Sequence, residues 1–149
     1  MRILAIDPGP EMSAFVVWDG TRVHERNYVD NPVMLPYLAL PNFFDLLAIE
    51  KIESYGMAVG ASTFDTCYWI GRFDPLSAAL LVPRREIKLH LCHSARAKDA
   101  NVRQALIDRF GKPGTKKSPG PLYGIASHLW SALAVAVTVY DGLKKKEGK

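Results

Sequence analysis

Met1-Arg-Ile-Leu-Ala-Ile-Asp-Pro-Gly9 opens the chain. Ile3 to Ile6 is a short apolar run of the kind that fills a strand buried on both faces, and it stops at a carboxylate, Asp7, followed by Pro8 and Gly9. Pro8 cannot donate to a continuing ladder and Gly9 permits a sharp change of direction, so Asp7 is expected on rigid backbone at the carboxyl edge of a sheet. Asp-Pro-Gly is also ordinary turn chemistry, and on these nine residues alone a turn is the simpler account. Further acids delivered to the same edge would make it a metal site for phosphate chemistry.

Moving outward, Ser13 to Trp18 reads as a second strand, and Asp19-Gly20 is a two-residue hairpin signal into a third from Thr21 to Val29. Asn31-Pro32 opens a short helix through Leu35 and Leu38, limited by Pro36 and Pro41. Leu46 to Ile52 returns to a buried strand that carries Glu50 toward its end. Ionised and unpaired, that glutamate would cost several kcal/mol to bury, so it must face a cation, a metal or water. An exposed edge, or an ion pair with Lys51 or Arg72, satisfies the same requirement.

Ser54 to Ser62 is loop-like, and Trp69, Ile70, Phe73, Leu76 and Leu80 recur at helical spacing, predicting a helix from Thr63 to Leu81 weakened by Gly71 and Pro75. Ile87 to Cys92 alternates apolar and polar and predicts a half-buried strand. His90, Cys92 and His93 lie together there, but no second pair of ligands stands nearby to complete a zinc site. Ala97 to Phe110 is an amphipathic helix with Val102, Ala105, Leu106 and Phe110 inward and Gly111 as its stop. Lys112 to Pro121 is a basic loop rich in glycine and proline, expected to be mobile. A last helix starts near Gly124 or Ser127 and ends at Tyr140, before Asp141-Gly142, with Ala132, Ala134 and Ala136 suited to close packing on a sheet.

The 149 residues make one ordinary domain, expected over 1–143, with a basic tail at 144–149. At 48% hydrophobic and 23% charged residues the composition excludes a disordered chain, and a net charge of +4 leans mildly toward anionic partners. Two isolated cysteines, Cys67 and Cys92, give no disulfide framework, and a reducing cytoplasm is the default. The longest apolar stretch, Leu129 to Tyr140, is too short to span a bilayer, and no membrane partner is expected.

Several stretches share one resemblance: Ile-Asp-Pro-Gly at 6–9, Ile-Glu-Lys-Ile-Glu-Ser-Tyr-Gly-Met at 49–57, Thr-Cys-Tyr-Trp-Ile-Gly-Arg-Phe at 66–73, Lys-Asp-Ala-Asn-Val-Arg-Gln-Ala-Leu-Ile-Asp-Arg-Phe-Gly at 98–111 and His-Leu-Trp-Ser-Ala-Leu-Ala-Val-Ala at 128–136. In that order the chain resembles the RuvC-type Holliday junction resolvases, and looks most like their short phage-encoded relatives. The resemblance implies an RNase H-like α/β fold: a mixed five-stranded sheet, three antiparallel strands and then two parallel, with helices on both faces. It implies that Asp7 and Glu50 are adjacent catalytic metal ligands and that His128 is a third. At the second ligand place of the last helix, three residues on, the family carries an aspartate and this chain carries Ser131. Residues 128 and 131 share a helix face, so both can reach one site. A serine cannot supply the missing charge, although it could hold a metal-bound water, and Glu53, Asp65 or Asp99 could substitute.

The expected cofactor is Mg²⁺, two ions, with Mn²⁺ able to replace it. In two-metal hydrolysis one ion positions the attacking water and the other stabilises the leaving oxygen. The expected partner is branched DNA, with Arg96, Lys98, Arg103, Lys112, Lys116 and Lys117 on phosphates and Tyr55 and Met57 as wedges at the junction centre. Each of these has a plainer reading, the cations as solvated surface charges and the apolar pair as cover for the core. Two symmetrical cuts imply a homodimer, placed by the resemblance on the helix from Thr63. The expectation is thus a magnesium-dependent, structure-selective endodeoxyribonuclease; a non-catalytic branched-DNA-binding protein and an RNA-processing nuclease of the same fold are the alternatives.

Overall fold

The computed structural model describes residues 1–149, in the order β1 (Ile3–Asp7), β2 (Met12–Trp18), β3 (Val23–Asp30), α1 (Asn31–Leu38), β4 (Leu46–Lys51), α2 (Ala61–Phe73), β5 (Leu80–Pro83), α3 (Arg84–Cys92), α4 (Asp99–Phe110) and α5 (Leu129–Glu147). One five-stranded sheet runs β3-β2-β1-β4-β5. β1 pairs antiparallel with β2, and β2 with β3, whereas β4 is parallel to β1 and β5 is parallel to β4. The mixed sheet expected from the sequence is therefore present.

The pleat of β1 sorts its side chains between two cores. Ile3 and Ala5 point into a large cluster with Ala14, Val16, Trp18 and Ala48, closed by α3, α4 and α5. Leu4 and Ile6 point the other way, into a smaller cluster with Phe15, Val17, Ile49 and Phe73, closed by α1 and α2. α5 is the central helix: Ala132 to Val137 are all buried, because alanines at 132, 134 and 136 let its backbone lie close to the sheet.

Three expectations fail. The strand over Ile87–Cys92 is instead helix α3: Ile87 and Leu91, four apart, face the core, while Leu89, which a strand would put on the same side, is 42% exposed. The fifth strand is Leu80–Pro83, which begins within the last two residues of the helix expected to run to Leu81; that helix ends at Phe73. The last helix does not stop at Asp141-Gly142. It runs to Glu147, so Lys144 to Lys146 occupy its final turns, where positive charge suits the helix dipole.

The connection after β2 also differs in detail. Instead of a two-residue turn, residues 19–22 form the loop and Trp18 pairs with Val23; one carboxylate oxygen of Asp19 accepts from the Thr21 and Arg22 amides and from the Thr21 hydroxyl. Gly20 sits there at φ +98°, and a Cβ would fall 2.1 Å from the Tyr140 ring. Lys112 to Pro121 is a loop, as the sequence predicts. Its tip is a small hairpin in which Thr115 and Ser118 exchange backbone hydrogen bonds, with Lys116 and Lys117 between them. No helix is long and apolar enough to cross a membrane.

Candidate functional site

Ile6 pairs with Ile49 in the parallel β1–β4 ladder, so Asp7 and Glu50 are the next residues on neighbouring strands, at their carboxyl ends. Asp7 has the pleat parity of Ile3 and Ala5, and Glu50 that of Ala48, so both project to the face covered by α5. Their side chains are only 15% and 13% exposed. Across from them, His128 caps the start of α5 and presents its Nδ1 to an Asp7 carboxylate oxygen at 3.2 Å. The His128 ring stacks on Tyr28 of β3, centroid to centroid 5.1 Å, which fixes its plane.

The turn that carries Asp7 is anchored by a buried polar knot. Ser13 Oγ accepts from the Gly9 amide and donates to Asn31 Oδ1, while Asn31 Nδ2 donates to the Gly9 carbonyl. Ser13 and Asn31 are fully buried. A side chain at residue 9 would strike the Met12 carbonyl at 2.3 Å, which is why glycine follows Asp-Pro here.

Glu50 has one fixed cation. Arg84, the first residue of α3, donates from Nη1 to both Glu50 oxygens at 3.2 Å and from Nη2 to Asp99 on the first turn of α4. Neither Lys51 nor Arg72 takes that place: Lys51 pairs with Glu53 at 3.4 Å, and Arg72 donates to the Tyr68 hydroxyl on α2. Burial pushes the Asp7 carboxyl up, against the pull of His128 and Arg84. Burial likewise pushes Glu50 up to about 7 despite Arg84, with Asp7 and Asp99 adding to the rise.

A cavity of about 400 Å³ opens beside this edge, lined by Glu50, Arg84, Lys88, Asp99, Arg103, His128 and Ser131 among others. A second, of about 390 Å³, lies on the other side of His128 and reaches Asp7 and Tyr28. Ser131 thus lines the same cavity as His128 and Glu50, and so does Asp99, which Arg84 links to Glu50. Glu53 and Asp65 line neither cavity.

Asp7, Glu50 and Asp99 together have one guanidinium among them, and the two buried acids are driven toward protonation. Such an edge is short of positive charge, and its oxygen donors suit a hard divalent cation. No three His, Cys, Asp or Glu side chains stand close enough together to hold an ion by themselves.

Of the expected DNA contacts, Arg103 joins the cavity and lies over the Trp130 ring at 5.1 Å. Arg96, Lys98, Lys112, Lys116 and Lys117 are exposed away from it. Tyr55 and Met57 are exposed in the loop before α2, Met57 at 78%. Sequence reasoning missed Arg84, Lys88, Tyr28 and the Ser13–Asn31 pair. Arg84 becomes visible only once β5 is placed at 80–83, because Lys51 pairs with Pro83 and the next residue then stands at the Glu50 edge.

No family model matches the sequence, and no curated protein does either. Among solved structures the chain is similar to RuvC of Thermus thermophilus, at 19% identity and a TM-score of 0.70 over 98% of this chain and 97% of that one. It is similar also to T. thermophilus RuvC in complex with a Holliday junction substrate, at 18% identity and a TM-score of 0.70 over 98% and 96%. The chain has the RuvC-type, RNase H-like α/β fold along nearly its whole length.

Proposed function

We propose that this protein is a divalent-metal-dependent, structure-selective endonuclease that cuts Holliday junctions or other branched DNA. The observation that carries the reading is the pair of buried acids, Asp7 and Glu50, side by side at the carboxyl edge of a RuvC-type sheet with His128 facing them. Asp7 and Glu50 would hold Mg²⁺ or Mn²⁺, with His128 as a third donor. Such an ion would supply an activated water and positive charge against the scissile phosphate. The chain's own residues do the rest. Tyr28 and Asp7 orient the His128 imidazole, Ser131 offers a hydroxyl to a water in the cavity, and Lys88 and Arg103 line that cavity as donors to phosphate oxygens. Only one oxygen-rich pair is present, so a second ion would depend on water for most of its ligands.

Affinity for a junction comes from Arg96, Lys98 and Lys112, together with the Lys116-Lys117 hairpin tip, on phosphates of adjoining arms. Tyr55 and Met57 are placed to enter the branch point. A junction presents near two-fold symmetry, and the matching protein is a homodimer through α2, whose Phe64 and Tyr68 are exposed.

Ser131 favours a second reading, a branched-DNA-binding protein that does not cut. A labelled four-way junction and a matched linear duplex, each with Mg²⁺, Mn²⁺ or chelator, separate the two. Metal-dependent junction nicks lost in Asp7→Asn and Glu50→Gln support the nuclease. Tight junction binding without nicks in either metal, with Ser131→Asp restoring them, supports the binding protein. Neither binding nor cleavage removes both and points to RNA substrates.

A further inference from the structure

Arg84 is held between two carboxylates of unlike exposure. Through Nη1 it engages both oxygens of Glu50, which is nearly buried, and through Nη2 it engages Asp99, which is 76% exposed on the first turn of α4. Its own backbone is fixed, because it follows β5 directly and Pro83 is still paired with Lys51. Any divalent ion bound by Glu50 would meet a guanidinium on the same two oxygens, and like charges that close repel strongly in a partly desolvated cleft. Leaving Glu50 with nothing in exchange would strand a half-buried cation, which is costly. Asp99 removes that cost, since it already holds the other arm of the same fork.

We propose that Arg84 is a latch on the metal site: without an ion it neutralises Glu50, and when a divalent ion binds at Asp7 and Glu50 it gives up Glu50 and keeps Asp99. The inference rests on the metal-site reading above and adds that a residue of the chain itself competes with the ion. Arg84 is therefore a positioning residue acting on Glu50, and Asp99 sets how easily it lets go without being a metal ligand. Only the Arg84 side chain has to turn.

The test is Mn²⁺ binding to the DNA-free protein at pH 8.5, read from the electron paramagnetic resonance signal of free Mn²⁺, for wild type, Arg84→Gln, Asp99→Asn and the double variant. Arg84→Gln is expected to tighten Mn²⁺ binding about tenfold, because a competing charge is gone. Asp99→Asn should weaken it about threefold, because Arg84 is then left with Glu50 alone. In the Arg84→Gln background, Asp99→Asn should change affinity by less than about twofold, since it acts through Arg84. Equal affinity in wild type and Arg84→Gln overturns the latch. So does a loss from Asp99→Asn of the same size in both backgrounds, which would be the plain charge effect of Asp99. Because Asp99 is exposed, its single variant keeps the test informative even if Arg84→Gln melts early. Failure of the metal reading is a separate outcome: Mn²⁺ binding absent from all four proteins, or unchanged by Glu50→Gln, removes the metal site and the latch with it.

Discussion

Glu50 is an acid that folding pushes toward its protonated form. Its ordinary value is 4.5 and burial raises it to about 7, so between those two pH values the folded chain binds more protons than the unfolded one. Stability from this residue is therefore full below about pH 4.5 and declines as pH rises through about 7, by on the order of 3 kcal/mol. Glu50→Gln cannot titrate. Metal-free wild type should lose stability against that variant across the window in chemical denaturation at a series of pH values, and parallel curves would show that Glu50 is not strained. Under the proposed function the same substitution, like Asp7→Asn, should leave junction binding within about threefold while removing a metal ligand worth several kcal/mol in the transition state. That is about 10³-fold or more in cleavage rate, read by single-turnover kinetics. Asp7 and Glu50 were legible as acids ending apolar runs, because a carboxylate at such a place needs a physical reason. Arg84 was not legible, since its role depends on a strand register that no local pattern carries.

At the scale of elements, the turn after β1 depends on β2 and α1 through Ser13 and Asn31. Asn31→Ala leaves the buried Ser13 hydroxyl and the Gly9 carbonyl each short of a partner, and should cost about 1–3 kcal/mol. The denaturation midpoint should fall with unchanged slope, and Mn²⁺ affinity should fall with it because Asp7 loses its fixed position. An Asn31→Ala protein as stable as wild type would show that the knot is not holding the turn. A second tie joins α3, α4 and α5: Asp141 accepts from His90 at 2.7 Å and from Arg109 at 2.5 and 2.8 Å. Those hydrogen bonds hold the Asp141 carboxyl below its ordinary range although its burial acts the other way. The tie is thus present above about pH 4 and lost as pH falls through the lowered value, so melting temperatures of wild type and Asp141→Asn should differ at pH 7 and draw together as the pH falls below that value. β1, β2 and β4 were readable as apolar runs, and the polar strand β3 only through the Asp19-Gly20 turn signal before it. β5 and α3 were not, because Leu80 continues the helical spacing of Phe73 and Leu76 and Ile87 to Cys92 imitates strand alternation over six residues. Packing of Leu91 against the core and exposure of Leu89 settle the second case only in three dimensions.

At the scale of the whole molecule, one parallel ladder and one central helix bring together residues from opposite ends of the chain: Asp7 and His128 are 121 positions apart in sequence. The composition gives such a molecule only a mild positive charge, +4, so phosphate contacts must be local. Removing both Lys116 and Lys117 at the hairpin tip should weaken junction binding and reduce the slope of log affinity against log salt by about 1–2. An unchanged slope would place the DNA elsewhere. The claim on which the account turns is that the Asp7–Glu50 edge cuts branched DNA. Its most direct measurement is nucleotide-resolution mapping of a four-way junction, labelled on each strand in turn, after incubation of wild type and Asp7→Asn with Mg²⁺. Paired nicks are expected at symmetrical positions on two opposed strands, leaving 5′-phosphate and 3′-hydroxyl ends, absent from Asp7→Asn and from linear duplex. Nicks that persist in Asp7→Asn, or an intact junction under protein in excess, would contradict the claim.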